Sequence, residues 1–265
     1  MSSEIPRCTA AGHYPAAGVD LAAHRRDWEE LSRIDPLWAV LSDPSKRFGN
    51  WEPEEFFASG QRDIDDFMDM CARHGLPRGH ATALDFGCGA GRLTRALSMR
   101  FDRCIGVDIS EPMVELARDF NRDRAGCTFA MNDSDDLSRF EDASFDFVVS
   151  HITLQHVPGR NRILGYIGEF VRVLRPGGAI VFQLPSSIPM RYRAQLGRRL
   201  YGGLRSLGVS AQTLHRRLRL QPMRMSAVST DDVSRALRQA GAGVFELETS
   251  RDGAGIVSAG YYATR

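Results

Sequence analysis

The chain is short of lysine, of closely spaced cysteines and of long apolar runs, and each shortage excludes something. Of its 34 basic residues only Lys46 is a lysine, a bias that reads as GC-rich coding before any chemistry. The five cysteines, Cys8, Cys71, Cys88, Cys104 and Cys127, show no C-x-x-C spacing. That argues against a disulfide framework or a structural zinc site and for reduced, mostly buried thiols. No apolar run approaches the roughly 20 residues that cross a bilayer, and the opening Met-Ser-Ser-Glu-Ile-Pro-Arg lacks an apolar signal core. A cytoplasmic protein is expected. Acid is missing locally: Phe170 to Thr230 holds no Asp or Glu but eleven arginines, although the whole chain is only +1. The remainder is therefore acidic, and a molecule polarised in this way can steer an anionic ligand toward one side.

What is present is an ordered alternation. A length of 265 residues suits one domain with an elaboration. Residues 1–19 read as a loose lead-in rich in Ala, Gly and Pro. Asp20 is placed to cap a helix running to Ile34. Pro53, Glu54 and Glu55 suit the start of a second helix that Gly75 stops. Residues 1–80 are thus expected to form a helical cap, and 81–265 the core. There, β-like runs near Thr82–Phe86, Cys104–Asp108, Thr128–Met131, Phe145–Val149 and Ala179–Leu184 alternate with helical runs near Gly91–Met99, Glu111–Asn121 and Asn161–Leu174. Such alternation predicts a parallel sheet flanked by helices. Residues 185–229 interrupt it and carry most of the arginines. Thr230 then caps a helix ending at Gly241, and Val244–Glu248 with Ile256–Ala263 form a closing hairpin.

The stretch "ALDFGCGAGRLTRAL" runs from strand to helix through Gly87, Gly89 and Gly91, so a ligand can approach the backbone with no Cβ in its way. The dinucleotide fingerprint G-x-G-x-x-G would need a third glycine where Arg92 stands, which disfavours an oxidoreductase, and the G-K-[S/T] of a phosphate loop is also absent. Asp108 ends the next strand, 21 positions beyond Gly87, where a carboxylate can accept both hydroxyl protons of a ribose. Asn132 and Asp133 follow a third strand and can hydrogen-bond an adenine amine. Together these describe an adenosine site without a pyrophosphate cradle.

These motifs resemble those of class I S-adenosylmethionine (SAM)-dependent methyltransferases: LDFGCGAGRLT, GVDIS, NDSDDL, FDFVVSHITLQHVP and VLRPGGAIVFQLP, in that family's order over roughly residues 82 to 184. The resemblance implies a Rossmann-like α/β fold: a seven-stranded, mostly parallel sheet with helices on both faces, a closing antiparallel hairpin, an N-terminal helical cap and a helical insertion after the fifth strand. It implies SAM as cofactor and S-adenosylhomocysteine (SAH) as product, with Gly87, Gly89 and Gly91 under the methionyl part. Asp85 would position the amino acid end, Asp108 the ribose, and Asp133 with the Ser134 backbone the adenine. Ser150 ends the fourth strand where metal-dependent relatives carry an acid; it is counted among the cofactor-side positions, and no required metal is expected.

The sulfonium already activates the methyl group, so such a protein must chiefly align a nucleophile with it. An alcohol also needs a base, and His151 and His156 follow the fourth strand on the acceptor side. His156 can instead brace its loop through a backbone hydrogen bond. Trp38, Phe48 and Trp51 either wall a pocket or pack the cap, and Lys46, Arg47 and Arg62 are candidates for the SAM carboxylate. The basic insertion is open to three readings: a lid for an anionic or polyhydroxylated acceptor, a surface for lipid headgroups or a protein, or a solvated helical face. The expected acceptor is a small or medium-sized metabolite methylated at a hydroxyl, with nitrogen or carbon transfer, or SAM binding without catalysis, as alternatives. No nucleic-acid partner is expected, and a homo-oligomer is left open.

Overall fold

The computed structural model describes residues 21–265; the lead-in at 1–19, the Asp20 cap and Cys8 lie outside the described residues. Seven strands form one sheet in the order β3-β2-β1-β4-β5-β7-β6: β1 (Thr82–Phe86), β2 (Arg103–Asp108), β3 (Cys127–Met131), β4 (Phe145–Ser150), β5 (Leu174–Ser187), β6 (Gly243–Arg251) and β7 (Val257–Thr264). The pairs from β3 through β5 are parallel, and β7 runs antiparallel to both β5 and β6. The chain order therefore reverses between β1 and β4, where open α/β sheets bind ligands beyond the carboxyl ends of their strands.

Alternation along the strands decides which residues face which layer. Leu84, Val148, Ile180 and Phe182 are buried on one face, against Ile163, Ile167 and Phe170 of α6 (Arg160–Val173) and Val233 and Leu237 of α10 (Thr230–Gln239). Ala83, Phe147, Val149 and Val181 are buried on the other. There they meet Leu93 and Leu97 of α4 (Arg92–Leu97) and Ile64, Met68 and Cys71 of α3 (Pro53–Arg73). Thus α3, within the segment expected to be a cap, is a layer helix of the core. It starts at Pro53 with Glu54 and Glu55 in its first turn, where Pro costs no hydrogen bond and acid suits the helix dipole. Between β2 and β3, α5 (Glu111–Phe120) is capped by the Ser110 side chain, which accepts from Met113 N.

The cap proper is α1 (Leu21–Ile34) and α2 (Pro36–Val40), whose Leu31, Trp38 and Ala39 pack with Trp51, Phe56, Ala90 and Met113. The insertion forms α7 (Met190–Arg193), α8 (Leu196–Ser206) and α9 (Ala211–Arg216), and it docks on this cap. Tyr201, Ala211 and Leu214 are buried together with Ile34 packed against them. Arg198 reaches Asp27 at 2.8 Å, and Arg205 and the Tyr201 hydroxyl both reach Glu30. The buried Asp35 and His215 approach to 3.3 Å. Two of the insertion's arginines thus clamp it to α1, offsetting the local lack of acid.

Candidate functional site

A cavity of about 450 Å³ lies over the carboxyl ends of β1, β2 and β4. Its floor includes Gly87, Gly89, Asp108, Asn132, His151 and Thr153, and its roof joins His24, Trp28 and Val40 of the cap to Tyr192, Met223 and Arg224 of the insertion. The roof therefore needs both segments, which the ion pairs described above hold together.

The glycine loop follows from its backbone. Gly87 and Gly89 take φ of +78° and +51°, conformations that cost an L-residue strain. A Cβ on Gly87 would lie 2.1 Å from Thr153 Cγ2, and one on Gly89 2.4 Å from Val40 Cγ2. Asp108 is held rigidly: Gly89 N and Ser110 N donate to its two carboxylate oxygens at 2.9 Å each. An ionised carboxylate has about four acceptor sites, so two remain for a ligand diol. Burial raises the Asp108 pKa, and those backbone donors pull it back. The buried Asn132 donates to Asp136 O at 3.2 Å and also faces the cavity. A positive-φ glycine loop beside an anchored carboxylate at the next strand end fits the adenosyl group of SAM.

Other expected site residues sit elsewhere. Asp85 lies under the start of α4, not on the cavity: alternation turns Leu84 and Phe86 to one face and Asp85 to the other. There it is 1 % exposed and accepts from Thr94 Oγ1 at 2.7 Å, and burial pushes its pKa up to about 6. Gly91 is the N-cap of α4, packed against Asn121 and Phe129. Asp133 is turned outward into an ion pair with Arg25 at 3.1 Å, and the backbone carbonyl of Ser134 accepts from the Tyr166 hydroxyl at 2.5 Å. Ser150 faces a second recess beyond His151. Trp38 and Trp51 are packing residues whose ring N–H groups donate to Asp43 O and Leu41 O. None of the three basic candidates lines the cavity: Lys46 pairs with Glu55, Arg47 donates to Gln221 Oε1 at 3.0 Å, and Arg62 is exposed.

Both histidines line the cavity, and their ring contacts differ. His156 is buried, with Nδ1 2.6 Å from Arg224 O and Nε2 3.2 Å from Gln155 Nε2. A carbonyl on Nδ1 requires a proton there, which leaves Nε2 to accept from the Gln155 amide. Both nitrogens are thus engaged, and burial holds the ring neutral, with its pKa down at about 4. His151 is partly open to the cavity, and burial likewise lowers its pKa to about 4. Its Nε2 lies 3.9 Å from Asp63 Oδ2, and its ring packs on Phe67. Asp63 of α3 and His24 of α1 were missed in sequence because nothing in their spacing relates them to the β4 loop. His24 is 6 % exposed, lines the roof and is held near pKa 3, first by burial and then by neighbouring charge.

The sheet order, the glycine loop and the Asp108 carboxylate define a class I SAM-dependent methyltransferase architecture. Residues 84–182 match the family described as methyltransferase domain. It is similar to a trans-aconitate 2-methyltransferase from Streptomyces avermitilis, 31% identical over 144 residues that make up 52% of each chain. It is also similar to a demethylmenaquinone methyltransferase from Staphylococcus aureus, 35% identical over 116 residues, 43% of this chain and 44% of that one. The chain spans about half the length of these curated relatives. In fold it resembles magnesium protoporphyrin IX methyltransferase from Synechocystis, crystallised with bound SAH: TM-score 0.60, 17% identity, 93% of this chain and 100% of that chain covered.

Proposed function

We propose that the chain binds SAM in the 450 Å³ cavity and transfers its methyl group to a hydroxyl of a small or medium-sized metabolite. A sugar, glycolipid precursor or secondary metabolite is the acceptor class. The observation that carries this reading is that one cavity joins Gly87, Gly89 and Asp108 to His151 beneath a roof of Trp28, Tyr192 and Met223. SAM supplies an activated methyl on a sulfonium. The protein's task is to exclude water and align the acceptor oxygen, for which a closed aromatic and thioether roof is suited. His151, which lines the cavity, would act as general base on the acceptor hydroxyl through a ring nitrogen. His156, with both nitrogens occupied, is assigned a bracing role between the β4 loop and the insertion.

Isothermal titration with SAM, SAH and NAD, repeated on Asp108→Ala, tests the cofactor site. Binding of the first two alone and at least about a tenfold loss in the variant are expected, because a charge-assisted ribose contact is removed. Binding of NAD without SAM would falsify the reading. The hydroxyl assignment is tested by turnover with alcohol and amine acceptors in His151→Asn. Loss of alcohol methylation with amine methylation retained supports the base, since a neutral amine needs none.

A further inference from the structure

We propose that the recess beyond His151 binds a neutral polyhydroxylated ligand, the carbohydrate-like part of the acceptor; this rests on the methyltransferase reading above. The recess follows from one missing side chain. Gln183 of β5, Gly260 of β7 and Glu248 of β6 are cross-strand neighbours in a single row. A Cβ at Gly260 would meet nothing nearer than Glu248 Cβ at 3.8 Å, so the middle of the row is open. The resulting trough of about 570 Å³ is flanked by Phe67 and Tyr262 and reaches His151, which it shares with the cofactor cavity.

Its polar groups call for a ligand rich in donors. Gln183 Oε1 is buried without a hydrogen-bond partner, and Glu248 offers a carboxylate to which the Tyr262 hydroxyl donates at 3.2 Å. A buried acceptor left unpaired costs free energy that a ligand hydroxyl would recover. Among the described residues no Lys or Arg lines the trough, so an anion would meet Glu248 with no compensating cation. A primary ammonium gains little from one exposed carboxylate, and it leaves the hydroxyls of Ser250 and Ser258 on the rim unused. Several hydroxyls spread over a ring match several dispersed partners, and the apolar face of such a ring packs on Phe67 and Tyr262. The acceptor's polar recognition is thereby assigned to the β5-β7-β6 face and not to the arginine-rich insertion.

Saturation-transfer NMR on the full chain, with SAH present, tests this with myo-inositol and methyl glucoside as probes and inorganic phosphate and butylamine as competitors. Transfer to a polyol that neither competitor displaces is expected. Gly260→Val fills the trough and should abolish the transfer. Glu248→Gln, on the exposed edge strand, should weaken polyol binding about tenfold; it decides the matter if the valine variant does not fold. SAH affinity, measured calorimetrically on the same samples, should be unchanged in both variants. No transfer to either polyol, displacement by phosphate or butylamine, or unaltered polyol affinity in Glu248→Gln overturns the proposal. Failure of SAH to bind the unmodified chain overturns the cofactor reading beneath it.

Discussion

Acid should unfold this protein through its buried neutral histidines, and His156 allows the effect to be isolated. Burial holds its folded pKa at about 4 against 6.5 in the unfolded chain. The unfolded state therefore takes up the proton first, and stability is lost as pH falls from 6.5 toward 4. Each pH unit crossed between those two values costs about 1.4 kcal/mol, so His156 alone removes about 2 kcal/mol between about pH 8 and about pH 5. His24, held near 3, acts in the same direction with similar size. Asp85 opposes them: its folded pKa, raised to about 6 by burial, lets the folded state bind a proton first and offsets about 1.4 kcal/mol at the same pH. The histidines win. Urea denaturation of the unmodified chain and of His156→Gln, at both pH values, measures the difference. The variant should be less stable at the higher pH, because the Nδ1 bond to Arg224 O is altered. Its further loss on acidification should be smaller by about 2 kcal/mol. Parallel pH dependences in the two proteins would refute the buried neutral state of His156.

Gly89→Ala should cost about 1–3 kcal/mol, combining left-handed backbone strain with a Cβ placed against Val40 Cγ2. Adding Val40→Ala should recover the steric part and not the backbone part in thermal melts. Arg198→Ala, which removes a partly buried ion pair with Asp27, should cost about 1 kcal/mol. In hydrogen exchange it should speed α8 and leave the sheet unchanged; uniform acceleration would refute the clamp. Burial pushes the Cys71 thiol up to about 12 and raises Cys88 and Cys104 as well. Iodoacetamide at neutral pH should therefore leave all three unlabelled until urea is added, and rapid labelling of the native protein would contradict their packing.

Most strand positions were legible because apolar runs bounded by glycine, proline and acid are local signals. β1 falls at Thr82–Phe86 as expected, and β2, β3 and β4 lie within a residue of expectation at each end. β6 runs three residues past its expected end, to Arg251, and β5 departs most. It begins at Leu174, where Arg-Pro-Gly-Gly reads as a turn, because pairing with β4 starts at Phe145 opposite Leu174 and then shifts register. Gly87, Gly89, Asp108 and Asn132 also reached the cavity from sequence. Their positions follow from being at strand ends, which the alternation already fixed.

Asp85 shows where such reading stops. It neighbours the glycine loop in sequence, yet strand parity turns it beneath α4 onto Thr94. Trp38 and Trp51 were open to two uses, and only their contacts with Ala90 and Met113 decided for packing. The insertion's charge was visible, but not that Arg198 and Arg205 are committed to Asp27 and Glu30 of α1, more than 170 positions away. The sequence by itself determined the layered sheet and the loop that approaches the ligand, because these depend on residue period and on glycine's backbone freedom. Tertiary structure alone decided that both ring nitrogens of His156 are engaged, what roofs the cavity, and where Gly260 leaves a polar recess. Those features are made by side chains from distant segments meeting across the sheet, and no local pattern encodes such a meeting.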